Sequence, residues 1–106
     1  ADDDSIQAAL AAYEAFLKVR PDSIVIMNNL AWLYLESGRY NKAVEVSKEA
    51  YELMPTGGAV ADTYGWALFK KGDIAEAISV LRLAVKLLPN DKIQAHLDEA
   101  LSTEKN

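Results

Sequence analysis

Apolar side chains return every three or four positions along this chain, in blocks divided by proline, glycine and short polar turns. That spacing winds one apolar stripe down the side of a helix. The first block holds Ile6, Ala9, Leu10, Tyr13, Phe16 and Leu17, with Ser5 placed to cap it and aspartates at the positive end of its dipole. Pro21 stops this helix, over 6–20, since the residue before a proline is driven from helical angles. Ser23 caps a second helix over 24–37, through Met27, Leu30, Ala31, Tyr34 and Leu35, and Gly38 offers a left-handed stop. A third over 40–54 carries Tyr40, Ala43, Val44, Ser47, Ala50, Tyr51 and Leu53, and Pro55 closes it. After the turn Thr56-Gly57-Gly58, helices over 59–71 and 74–88 end at Gly72 and Pro89. Asn90 or Asp91 caps a last helix, 92–103, through Ile93, Leu97, Ala100 and Leu101. The polar lead 1–4 has nothing to order it, and the tail 102–106 is expected to fray. The pattern predicts six helices and no strand.

Two of these helical pairs are one pattern written twice. Trp32, Gly38, Ala43, Val46, Ala50, Leu53 and Pro55 recur 34 positions on as Trp66, Gly72, Ala77, Val80, Ala84, Leu87 and Pro89, without a gap. A fixed period of this length marks an array of stacked helical hairpins. Turns this short force neighbouring helices to run antiparallel. Each hairpin leaves an apolar stripe that only the next hairpin covers, so the fold class is all-α, an α-α superhelix. Small residues let backbones approach: Ala31 or Gly65 is expected to face Ala43 or Ala77, with Ala50 and Ala84 against the following hairpin.

Composition narrows the field. The 106 residues suffice for about three hairpins, and 51% hydrophobic with 25% charged is ordinary globular usage. A net charge of −5 with eleven scattered basic residues argues against nucleic acid and against an anionic membrane surface. Zero cysteines exclude disulfides, thiolate metal sites and a Cys nucleophile, and leave the compartment open between cytoplasm and periplasm. No apolar run approaches the ~20 residues that span a bilayer. The chain opens on Ala1, which reads as a mature product or an excised fragment.

Counted from Ile24 and Gly58, the two copies resemble the tetratricopeptide repeat. The first copy supplies Met27, Leu30, Ala31, Tyr34, Ala43, Ser47, Ala50 and Pro55 at that family's signature places. The second supplies Ala61, Tyr64, Gly65, Leu68, Ala77, Leu81, Ala84 and Pro89. Met27 and Ala61 stand where the family favours Trp, and Ser47 where it favours an aromatic. The frame divides the chain into a second-half helix over 5–21, repeats over 24–57 and 58–91, and a terminal first-half or capping helix over 92–103. The run Asp62-Thr63-Tyr64-Gly65-Trp66 followed by Gly72-Asp73 is similar to bacterial repeats of the family, some of them in envelope or polysaccharide-export proteins.

The resemblance implies a concave groove lined by the first helix of each repeat. Its residues here would be Val25, Asn28, Trp32 and Leu35, then Ala59, Asp62, Trp66 and Phe69, then Ile93, His96 and Ala100. Such an apolar, aromatic surface with a few polar handles suits a peptide anchored by apolar side chains, with Trp the favoured anchor type. The competing reading packs Trp32 and Trp66 between helices. The family's clamp for chaperone C-terminal tails needs Lys, Asn and Arg where this chain has Asn28, Trp32, Thr63, Ile93 and Leu97, so that ligand is not expected.

His96, the one histidine, falls in register to pair with Asp62. A lone pair of this kind is more often structural than catalytic, and no nucleophile set, phosphate loop or metal-ligand spacing accompanies it. No cofactor, metal or catalytic residue is expected. The expected role is a non-catalytic protein-binding module for a peptide or partner protein. The alternatives are head-to-tail self-assembly through unmatched apolar end helices, and an accessory domain of an envelope or polysaccharide-export system, with the tryptophans as sugar platforms.

Overall fold

The computed structural model describes residues 3–104. Six helices follow one another: α1 (Asp3–Val19), α2 (Ile24–Glu36), α3 (Tyr40–Leu53), α4 (Gly58–Lys71), α5 (Ile74–Leu87) and α6 (Asp91–Glu104). Among the described residues there is no strand. The ends moved more than the elements did. α1 starts at Asp3, so Ser5 lies inside its first turn and is not the cap. Asp3 and Asp4 occupy that turn, where carboxylates stabilise the exposed N–H groups of the positive end. Ser102–Glu104 continue α6 and do not fray within that span, while what was expected of residues 1, 2, 105 and 106 lies outside the described residues.

The other stops follow the sequence closely. Ser23 Oγ accepts from Ile26 N at 3.4 Å, and Asn90 Oδ1 from Ile93 N at 2.8 Å. Gly38 (φ 76°) and Gly72 (φ 105°) both take the left-handed conformation that ends a helix. Their hydrogen bonds repeat as the residues do. Gly38 N donates to Leu35 O and Arg39 N to Tyr34 O; Gly72 N donates to Phe69 O and Asp73 N to Leu68 O. Each member of the second pair is 34 positions beyond its counterpart, so the period is kept down to individual backbone groups.

Every helix packs on the next, and α4 additionally packs on both α2 and α6. Among the described residues α3 makes no such contact with α1 or with α5. The first helices of the hairpins therefore form a continuous inner row while the second helices splay outward, which is what curves the array. Residues of α1 through α5, from Leu10 to Ala77, share the largest core cluster. Ile78, Leu81, Leu97 and Ala100 continue it between α5 and α6. Ala84 is fully buried in a third cluster with Ala61 and Ile93, as expected of a small residue set against the following hairpin.

Two packing details differ from expectation. Gly65 faces Leu81, one turn beyond Ala77: a Cβ there would sit 2.7 Å from Leu81 Cγ. Ser47, in the place of an aromatic, is fully buried and returns its hydroxyl to Val44 O at 3.3 Å, so nothing polar is left unpaired. Two ends of the array also differ. Phe16 and Val19 on α1 are exposed, whereas the outer side of α6 carries exposed Gln94, Asp98 and Glu99. No helix is long and apolar enough to cross a membrane among the described residues.

Candidate functional site

Positions 28, 62 and 96 stand one period apart on α2, α4 and α6, and so do Trp32 and Trp66 on α2 and α4. Because α4 touches both α2 and α6, these side chains converge on the inner row. His96 Nδ1 lies 2.7 Å from Asp62 Oδ1, which joins α6 to α4. Asp62 is only 5% exposed, and this hydrogen bond is what makes its burial tolerable. With Asp62 as acceptor, Nδ1 carries the proton and the ring is held in one orientation.

The imidazole lies on Trp66, ring centroids 4.1 Å apart and planes tilted by 19°. Trp66 in turn stacks on Phe69 at 4.9 Å. On its other flank His96 meets Trp32 at 6.1 Å. Trp32 reaches there from α2, whose backbone does not approach that of α6 among the described residues. Its indole N–H donates to Thr63 Oγ1 on α4 at 3.0 Å, and the Thr63 hydroxyl donates to Ala59 O at 3.0 Å. A buried indole N–H needs such an acceptor. Two ammonium groups overlie the row: Lys92 Nζ 5.0 Å from the Trp32 ring and Lys70 Nζ 5.5 Å from the Trp66 ring. Both distances are within cation–π range.

The sequence-derived lining residues thus separate into three groups. Trp32, Asp62, Trp66, Phe69 and His96 come together as one aromatic row with a buried carboxylate hydrogen-bonded to the imidazole. Asn28 joins the same inner row, and its Oδ1 is buried with no hydrogen-bond partner. Leu35, Ile93 and Ala100 are buried in the core and support the wall without offering surface, while Val25 is 70% exposed near the start of α2. The competing reading of the tryptophans holds in part: each is partly buried, and both join helices while keeping some open surface. Thr63, Lys70 and Lys92 were not anticipated in these roles. The need of Trp32 for an acceptor was the one available signal for Thr63.

Chemically the arrangement is a partly exposed set of flat rings with two ammonium groups above it. Among the described residues no group of three His, Asp or Glu side chains converges for a metal.

Models of the tetratricopeptide repeat match residues 3–56 and residues 34–101. The chain belongs to the tetratricopeptide repeat family. It is similar to a TPR repeat-containing protein of Pseudomonas aeruginosa, at 33% identity over 80 residues, 74% of this chain and 14% of that protein. In three dimensions it is similar to the tetratricopeptide domain of Sgt2 from Aspergillus fumigatus, with TM-score 0.88 and 21% identity over 96% of this chain and 70% of that one. It is similar, too, to the first tetratricopeptide domain of Spaghetti bound to an HSP90 peptide, with TM-score 0.88 and 18% identity over 97% of this chain and 82% of that one. At those identities the structural likeness concerns the fold. The chain spans about a seventh of the length of the bacterial relative.

Proposed function

We propose that this domain is a non-catalytic interaction module that holds a peptide or extended segment of a partner protein against its inner row. The reading rests on one observation: Trp32, His96, Trp66 and Phe69 form a continuous aromatic row across α2, α4 and α6. Partly exposed Trp is the side chain that contributes most at protein interfaces, and a row fixed by Thr63 and Asp62 loses little freedom on binding. The Spaghetti domain, of the same fold, is seen with a peptide bound. At the places where the family's clamp for chaperone tails needs Lys, Asn and Arg this chain has Asn28, Trp32, Thr63, Ile93 and Leu97, which favours an occupant of different sequence.

The test is selection of peptides on the immobilised protein, followed by titration of each into wild type and Trp66→Ala. Loss of about 2 kcal/mol or more, with helicity unchanged, is the expected result. Equal affinity for the two proteins rejects the inner row as the binding surface.

A further inference from the structure

The solenoid has a second surface, unrelated to the inner row. Antiparallel helices bring the connections 20–23, 54–57 and 88–90 to one edge, and the packing shows it: a Cβ at Gly58 would lie 2.4 Å from Leu88 Cβ. Of the seven large exposed hydrophobic side chains among the described residues, all but Phe16 gather at this edge. Val19, Val25, Leu53, Met54, Leu87 and Leu88 each lie within two residues of one of the three connections.

Between the first two connections opens a cleft of about 360 Å³, lined by Pro21, Asp22, Met27, Glu49, Glu52 and Leu53. Met27 is buried and forms its floor; Pro21 and Leu53 are exposed apolar walls. Asp22, Glu49 and Glu52 are exposed around it. Among the described residues none of these carboxylates enters an ion pair or hydrogen bond, although Lys48 lies one turn from Glu52 on the same helix. No basic side chain lines the cleft. An apolar floor beneath unpaired carboxylates matches a side chain with an aliphatic stem and a cationic head.

We propose that this edge docks a basic amphipathic segment of a partner protein, with a lysine or arginine side chain in the Met27–Leu53 cleft and apolar neighbours along Val25 and Met54. The inner row and this edge would then bind independently, since the residues of one are absent from the other.

The probe is a synthetic helical peptide of leucine and lysine, followed by amide chemical shifts. Shifts at Asp22, Glu49, Glu52 and Leu53 are expected, with affinity falling as salt rises. The variant Asp22→Asn/Glu49→Gln/Glu52→Gln should bind about fivefold or more weakly. Leu53→Ser should weaken binding as well, and Trp66→Ala should leave it unchanged. Asp22, Glu49, Glu52 and Leu53 are exposed positions, and circular dichroism verifies that each variant, Trp66→Ala included, is folded. The proposal is overturned if the shifts map to Trp66 and Phe69, or if the triple variant binds as tightly as wild type. It is overturned equally if a glutamate-for-lysine peptide binds as well, or if the edge is occupied by a second copy of the chain in sedimentation.

Discussion

The indole N–H of Trp32 donates to the hydroxyl of Thr63, 31 positions away in sequence and 3.0 Å away in space. This bond fixes α2 to α4 at the surface where the aromatic row begins. Thr63 is 1% exposed, so Thr63→Val would keep its shape and leave a desolvated indole without an acceptor. The expected loss is about 1–3 kcal/mol of unfolding free energy. Urea denaturation of Thr63→Val beside Thr63→Ser checks this, since serine retains the hydroxyl and should keep most of the stability.

Asp62 and His96 form the second such tie, across α4 and α6. Asp62→Ala removes the acceptor that orients the imidazole, and a loss of about 1–3 kcal/mol is expected. Asp62→Asn keeps an acceptor oxygen and should cost less. Near-ultraviolet circular dichroism of the tryptophans reads the same change differently: the Trp66 signal should weaken in Asp62→Ala as His96 comes off the ring.

Burial pushes the Tyr34 phenol up to about 12, and the carboxylate of Glu14, which accepts its hydrogen bond, pushes the same way. Tyr64 is raised to about 12 by burial and by Glu76, whose Oε2 lies 3.3 Å from its hydroxyl. The unfolded phenols ionise near 10, so above that pH the unfolded chain releases protons that the folded one still holds. The stabilisation is whole below pH 10 and is lost as pH rises through about 12. Phenolate absorbance should show Tyr34 and Tyr64 titrating late. Tyr34→Phe and Tyr64→Phe should each flatten the alkaline limb of stability against pH.

Gly65→Ala places a methyl 2.7 Å from Leu81 Cγ and 2.9 Å from its Cδ2. Leu81 has no exposed surface to retreat into, so overpacking should cost about 1–3 kcal/mol. Shortening the neighbour relieves the clash. In a double-mutant cycle, Leu81→Ala should cost less in the Gly65→Ala background than in wild type. Additive effects would mean that Gly65 is held by something other than this contact.

The architecture was legible because its causes are local and repeated. Pro21, Pro55 and Pro89 stop helices by covalent geometry, and Gly38 and Gly72 by the backbone angle only glycine takes freely. The face of each first helix was legible for the same reason: position along a helix gives direction. It does not give depth. Ile93 was expected to line the inner side of the array but is 2% exposed, packed in the core with Ala61 and Ala84. Trp32 illustrates the opposite case, a side chain long enough to reach beyond the next helix to His96, so that its contacts are set by curvature. Nothing in the spacing of Lys70 and Lys92 tells that each lies over an indole ring, because packing between helices sets that. Ser5 missed its role because two aspartates before it had already begun the helix.

The splayed arrangement of α1, α3 and α5 has a mechanical side. With no rungs between those outer helices, successive hairpins are joined by α3 on α4 and α5 on α6 together with the inner row, and the coil can flex by opening or closing the gaps between α1, α3 and α5. Flexing of this sort would vary the reach of Trp32 toward α6 before any hairpin came apart, giving the molecule a soft mode confined to one side.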